Sequence, residues 1–171
     1  MLKKRFIFAV LATVSVLASG MARADNKAPY PGTVTIHTRY SFNTLVKRVK
    51  QSIAAHHMAL VAEASASRGA AARGIIIPGN AVLMVFRNDY AVRMLRASVP
   101  AGIEAPLRIY LTENADGTAD LTYRKPSAVF APYRNAALNA MAVSLDTIFA
   151  GIADSAAGKQ AGVLQHAGGH G

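Results

Sequence analysis

The residues from Ala105 to Pro126, APLRIYLTENADGTADLTYRKP, constrain the fold more than any other stretch, because two alternating runs flank an Asp-Gly pair. Leu107, Ile109 and Leu111 alternate with Arg108, Tyr110 and Thr112; past the turn, Leu121 and Tyr123 alternate with Asp120, Thr122 and Arg124. A period of two marks strands with one buried face. The apolar positions then choose the turn. A two-residue loop would pair Leu111 with Thr122, setting a core residue opposite a polar one. A three-residue loop of Ala115, Asp116 and Gly117 pairs Leu111 with Leu121 and Ile109 with Tyr123, so both apolar faces coincide. The longer loop is expected, with Gly117 in the left-handed conformation of a type I turn plus bulge. Its polar face sets Arg108 beside Arg124 and Tyr110 beside Thr122.

The remaining elements follow from periodicity. In TVTIHTRY, Val34, Ile36, Thr38 and Tyr40 alternate with Thr35, His37 and Arg39, which predicts a half-buried strand. Ser41 stands where its hydroxyl can cap a helix by accepting from first-turn amides. Phe42, Leu45, Val46, Val49 and Ile53 then recur at helical spacing, and His56 and His57 follow in the last turn. MALVAEASA (58–66) predicts a second strand, and SRGAAARG a short helical turn. NAVLMVFR (80–87) is almost continuously apolar and predicts a central strand covered on both faces. Asn88 or Asp89 is expected to cap the next helix, with Tyr90, Ala91, Met94, Leu95 and Ser98 on one side. Leu138, Met141, Ala142, Leu145, Ile148, Phe149 and Ile152 keep helical spacing and predict a closing amphipathic helix.

The N-terminus, MLKKRFIFAVLATVSVLASGMARAD, has the order of a secretory signal: basic residues, an apolar run from Phe6 to Gly20, and a small-x-small site at Ala22-Arg23-Ala24. Residues 1–24 are therefore expected to be a cleaved signal peptide, 25–32 an extended leader, 33–155 one domain and 156–171 a disordered Gly/Ala/His tail. The expected home is a bacterial periplasm, with no membrane association after cleavage. Four of the 19 basic residues fall in the signal, so the remainder carries 15 against nine acidic residues. A charge of +6 is not the footprint of a nucleic-acid binder, and no nucleic-acid partner is expected. There is no cysteine, hence no disulfide, no thiolate chemistry and no lipoprotein attachment.

Three stretches together resemble bacterial domain-of-unknown-function family 302. APLRIYLTENADGTADLTYRKP is similar to its "LPLR, strand, acidic DG turn, strand, Tyr, Pro" core, VLMVFRND to its strand ending in Asn, and SFNTLVKRVKQSIAAHHMALVAE to its opening unit. The match covers residues 33 to 133 in order. The family often has Gly and Asn-Pro where this chain has Arg87 and Asn88-Asp89. The resemblance implies an α+β fold, an antiparallel sheet with helices packed on one face, TATA-box-binding-protein-like with the order β-α-β4-α. It implies no activity.

The catalytic inventory is thin. Outside the last 16 residues only His37, His56 and His57 occur, and the carboxylates of residues 25–171 are spread singly. No nucleophile elbow, phosphate-cradling glycine loop or zinc-protease helix is present. A non-enzyme with no cofactor is expected. If helices cover the face holding Ile36, Ile109 and Leu121, then Thr35, His37, Arg39, Arg108, Tyr110, Thr122 and Arg124 share the other face. That surface suits a small anionic ligand, with arginines as donors and tyrosine as a stacking platform, or pairing as a homodimer, or plain solvation. The ligand-binding candidates are His37, Arg39, Arg108, Tyr110 and Arg124. The alternative function is a periplasmic copper or zinc accessory protein using His56, His57, His166 and His170, although adjacent helix residues diverge and two tail imidazoles are too few for a tight site. Met58, Met84 and Met94 suit cuprous ion in principle but sit in apolar runs and read as core fillers.

Overall fold

The computed structural model describes residues 30–159. In chain order these form β1 (Thr33–Thr38), α1 (Phe42–Ala55), β2 (Ala59–Ala64), α2 (Ala66–Ala71), β3 (Asn80–Phe86), α3 (Asn88–Ala97), β4 (Leu107–Glu113), β5 (Ala119–Arg124), α4 (Pro126–Phe130) and α5 (Ala136–Ala157), with 3-10 turns at Val99–Glu104 and Ala131–Tyr133. The strands make one antiparallel sheet ordered β1-β5-β4-β3-β2, and the helices pack on one side of it, an α+β fold.

The hairpin forms in the register that the apolar residues select. Ile109 lies opposite Tyr123 and Leu111 opposite Leu121. The loop is Ala115-Asp116-Gly117: the Asn114 amide donates to the Thr118 carbonyl at 2.8 Å, and the Gly117 amide to the Asn114 carbonyl at 3.0 Å. Gly117 has φ 81°, the left-handed conformation that the bulge requires. Asp116 accepts from the Thr118 hydroxyl at 2.6 Å and its amide at 3.0 Å, and these bonds hold its carboxyl below the usual carboxylate range.

One side of the sheet supplies Leu83, Val85, Ile109, Leu111 and Leu121, all at most 1% exposed. Leu45, Val49 and Ile53 of α1 and Leu138, Met141, Leu145, Phe149 and Ile152 of α5 close over them. Each such aliphatic side chain stabilises the fold by roughly 2 kcal/mol on burial. By length and composition α5 could cross a membrane, yet eight of its residues are buried in this core. Between the helices the buried Ser52 hydroxyl donates to the Ile152 carbonyl at 2.9 Å. Arg48 donates to the carbonyl of Ala156 at 2.6 Å, an acceptor at the end of α5, and to that of Ser155 at 3.0 Å, which also accepts from the Gly158 amide.

Several local expectations are corrected. Ser41 precedes α1, but its hydroxyl donates to Thr44 Oγ1 at 2.9 Å and takes no amide. The residue before α3 is Arg87, not Asn88 or Asp89; its guanidinium grips Asp89 with two bonds of 2.7 and 3.1 Å across the first turn. Leu95 is 45% exposed, so Met94 is the residue by which α3 enters the core. β3 is not covered on both faces: Ala81, Leu83 and Val85 are buried, whereas Val82, Met84 and Phe86 are half-exposed on the side without helices. α5 runs to Ala157, with Ala156 buried, before Gly158 turns the chain at φ 74°.

Candidate functional site

Arg124 ends β5, opposite Thr33 of β1. The β4–β5 ladder ends at the Ile109–Tyr123 pair, and continuing its register by one residue on each strand sets Arg108 beside Arg124. Both side chains line a recess of about 410 Å³, counted to its open mouth, at the end of the sheet. Leu107 and Val129 line its apolar part, and Glu104, the last residue of the 3-10 turn, supplies a carboxylate.

Two guanidinium groups side by side on neighbouring strands repel, and such a pair is ordinarily destabilising. Among the described residues neither enters an ion pair. Arg124 lies against the Tyr30 ring, 5.2 Å from its centroid, and its Nε is buried with no hydrogen-bond partner. A buried donor left unmade costs about 1–3 kcal/mol, more when charged. Glu104 accepts from the Tyr133 hydroxyl at 3.0 Å. Burial, then this bond to a carboxylate, raises the Tyr133 pKa above the ordinary phenol value, so Tyr133 stays a neutral donor.

The remaining candidates are distributed along the sheet rather than gathered. Tyr110, opposite Thr122 and 42% exposed, stands two residues from Arg108 on the same face. The Thr35 and Thr122 hydroxyls meet at 3.0 Å. His37 lies four residues along β1 from the partner of Arg124, roughly 13 Å at about 3.3 Å per residue. Its exposed ring bonds Asp120 through Nδ1 at 3.0 Å, while the other Asp120 oxygen accepts from Asn114 at 2.8 Å. Glu63 is at the far edge, held by Lys50 and Arg68, and does not meet His37. Arg39 follows β1 at the His37 end, exposed, its guanidinium 5.9 Å from the Tyr40 ring. The sheet thus brings Arg108 and Arg124 together, with Tyr110 near, and leaves His37 and Arg39 apart.

The paired histidines also separate. His56 ends α1 with Nδ1 at 2.9 Å from the Ser52 carbonyl, which requires a proton on that nitrogen, and its other edge faces Gly151 of α5. His57 turns away in a left-handed conformation, φ 56°. Among the described residues no group of three or more His, Asp or Glu side chains could hold a metal; His166 and His170 lie outside those residues. Met58 and Met94 are buried with Met141 around an apolar crevice beside Tyr90 and Phe130, while Met84 is on the open face.

Glu104 and Tyr30 escape the sequence reading. Glu104 sits in a short irregular segment, VPAGIE, and Tyr30 among prolines and glycine, so neither carries a periodic signal. Only the closure of the 3-10 turn and the segment before β1 around the end of the sheet places them beside the arginines.

No curated protein matches this sequence. Among solved structures, the chain is similar to that of an uncharacterized conserved protein DUF302 from Bacillus stearothermophilus, with a TM-score of 0.67 over 74% of this chain and 98% of that one. At 17% identity that likeness speaks to the fold alone. A family model described as domain of unknown function DUF302 matches residues 34–156. The strands, helices and recess described above fall almost wholly within that span, and the chain belongs to the DUF302 family.

Proposed function

We propose that this protein is an exported, non-catalytic binding module that holds a small anionic ligand at the end of its sheet between Arg108 and Arg124. The observation that carries the reading is the buried Arg124 Nε without a hydrogen-bond partner, next to a second unpaired guanidinium. An anion entering the recess supplies the missing acceptor and relieves the repulsion between the arginines. Export is supported by the signal-like order of residues 1–24, which lie outside the described residues.

The test is calorimetric titration of the protein purified from the periplasm with succinate, sulfate and phosphate. Binding in the micromolar to low millimolar range is expected, falling by about tenfold or more in Arg108→Ala/Arg124→Ala, since a charged hydrogen bond contributes about 1.5–3 kcal/mol. Circular dichroism should show the double variant folded. No anion heat in the parent protein, or equal affinity in the folded variant, would refute the reading.

A second reading, self-association, is favoured by the half-exposed Val82, Met84 and Phe86, which sit beside Tyr110 on the face without helices. Burying that strip in a symmetric pair removes apolar surface from water. Light scattering should then report twice the monomer mass, reverting to one in Met84→Lys; a monomer at all concentrations would exclude it.

A further inference from the structure

The recess contains a group that a simple anion would not want. Glu104 lines it together with Arg108 and Arg124, yet no Glu104 oxygen comes within 4.0 Å of either guanidinium. Its recorded partner is the Tyr133 hydroxyl, a single neutral donor on Oε1. A carboxylate has room for about four hydrogen bonds, so most of the accepting capacity of this recess-lining residue is not taken up by described residues. The site therefore has two separated poles: a cationic one at the sheet end, with an orphaned Nε, and an anionic one on the 3-10 turn.

From this arrangement we infer that the ligand is a zwitterion, carrying an ammonium group as well as its anionic group. The inference rests on the anion-binding reading and deepens it. The anionic group sits between Arg108 and Arg124, and the ammonium sits at Glu104. Repulsion from Glu104 weakens a plain dianion, whereas an ammonium on the same skeleton turns that repulsion into attraction. Tyr133 acts as a positioning residue, holding the carboxylate toward the recess. Leu107 and Val129 suit a short carbon skeleton joining the two charges. Amino acids with acidic side chains and phosphorylated amino alcohols have this chemistry.

The experiment compares probes that differ by one ammonium: aspartate against succinate, and phosphoethanolamine against ethyl phosphate, titrated by calorimetry into the protein and into Glu104→Gln. The parent protein should bind the ammonium-bearing member of at least one pair roughly tenfold more tightly. Glu104→Gln should abolish that preference, mainly by tightening the plain anion. Tyr133→Phe, which loosens the carboxylate without removing its charge, should reduce the preference without abolishing it. Equal or tighter binding of the plain anion in both pairs by the parent protein overturns the zwitterion and leaves anion binding standing. That comparison needs no variant to fold. A preference that persists in folded Glu104→Gln overturns the assignment to Glu104. Absence of binding by all four probes overturns both readings together.

Discussion

Gly32 shows how one residue can hold the end of the sheet. Its φ is +76°, its carbonyl accepts from the Lys125 amide at 2.8 Å, and a Cβ built on it would collide with the Ala128 Cβ. Gly32→Ala therefore combines a left-handed backbone cost of about 1–2 kcal/mol with a steric clash of similar size. A loss of at least about 2 kcal/mol in urea denaturation is expected, and a change below 0.5 kcal/mol would contradict the geometry. Tyr30, two residues earlier, lies against Arg124, so under the proposed function the same substitution should weaken anion binding beyond its effect on folding. The arginine pair was legible from the sequence, because strand parity and a three-residue loop are enough to set Arg108 beside Arg124. The unsatisfied Nε was not, since it depends on tertiary closure around the strand end. Nor did parity reveal that His37 and Arg39 stand far from that pair: alternation assigns a face, and only the pairing of β1 with β5 assigns a position along it.

At the scale of elements, periodic segments were readable and their junctions were not. The hairpin and the apolar stripes of α1 and α5 emerged as expected because burial enforces their spacing. β3 departs from the double coverage its sequence suggests for a physical reason: a run such as NAVLMVF reads the same whether its second face meets helices or an open surface, so apolarity alone does not count layers. The start of α5 is a junction with a testable role. Asn135 caps it, its Oδ1 accepting from the Leu138 amide at 3.0 Å while its Nδ2 donates to the Ala97 carbonyl near the end of α3 at 2.9 Å. One side chain thus joins two helices. Asn135→Ala should cost about 1–2 kcal/mol, the sum of a lost cap and a lost tertiary hydrogen bond. Asn135→Asp keeps the cap but lacks the donor, so it should recover about half in thermal unfolding. An Asn135→Asp variant as stable as the parent would show that the link to Ala97 contributes nothing, and equal losses for the two variants would show that the cap contributes nothing.

For the molecule as a whole, the more exposed edge of the sheet is β2, where a carboxylate links three elements. Glu63 of β2 is held by Lys50 of α1 and by Arg68 of α2, the latter at 2.7 Å. The Lys50 hydrogen bond, then that from Arg68, outweighs partial burial and lowers the Glu63 pKa below its ordinary value of 4.5. A carboxyl with a depressed folded pKa binds its proton more readily when unfolded. Its contribution to stability is therefore complete above the unfolded value and is lost as pH falls from about 4.5 through the lower folded value. Asp89 and Asp116 have lowered values too, from hydrogen bonds to Arg87 and Thr118, so overall acid sensitivity does not isolate Glu63. Comparison with Glu63→Gln does. At pH 7 the variant should be less stable by about 1 kcal/mol, the upper end for a solvent-accessible pair. As pH falls through the lower folded value the two proteins should converge, because protonated Glu63 is as neutral as glutamine. Urea denaturation across pH 2.5–7 would show two curves that separate as pH rises. Curves that stay parallel would mean that Glu63 acts through shape rather than charge, and that the edge strand is secured to α1 and α2 by packing.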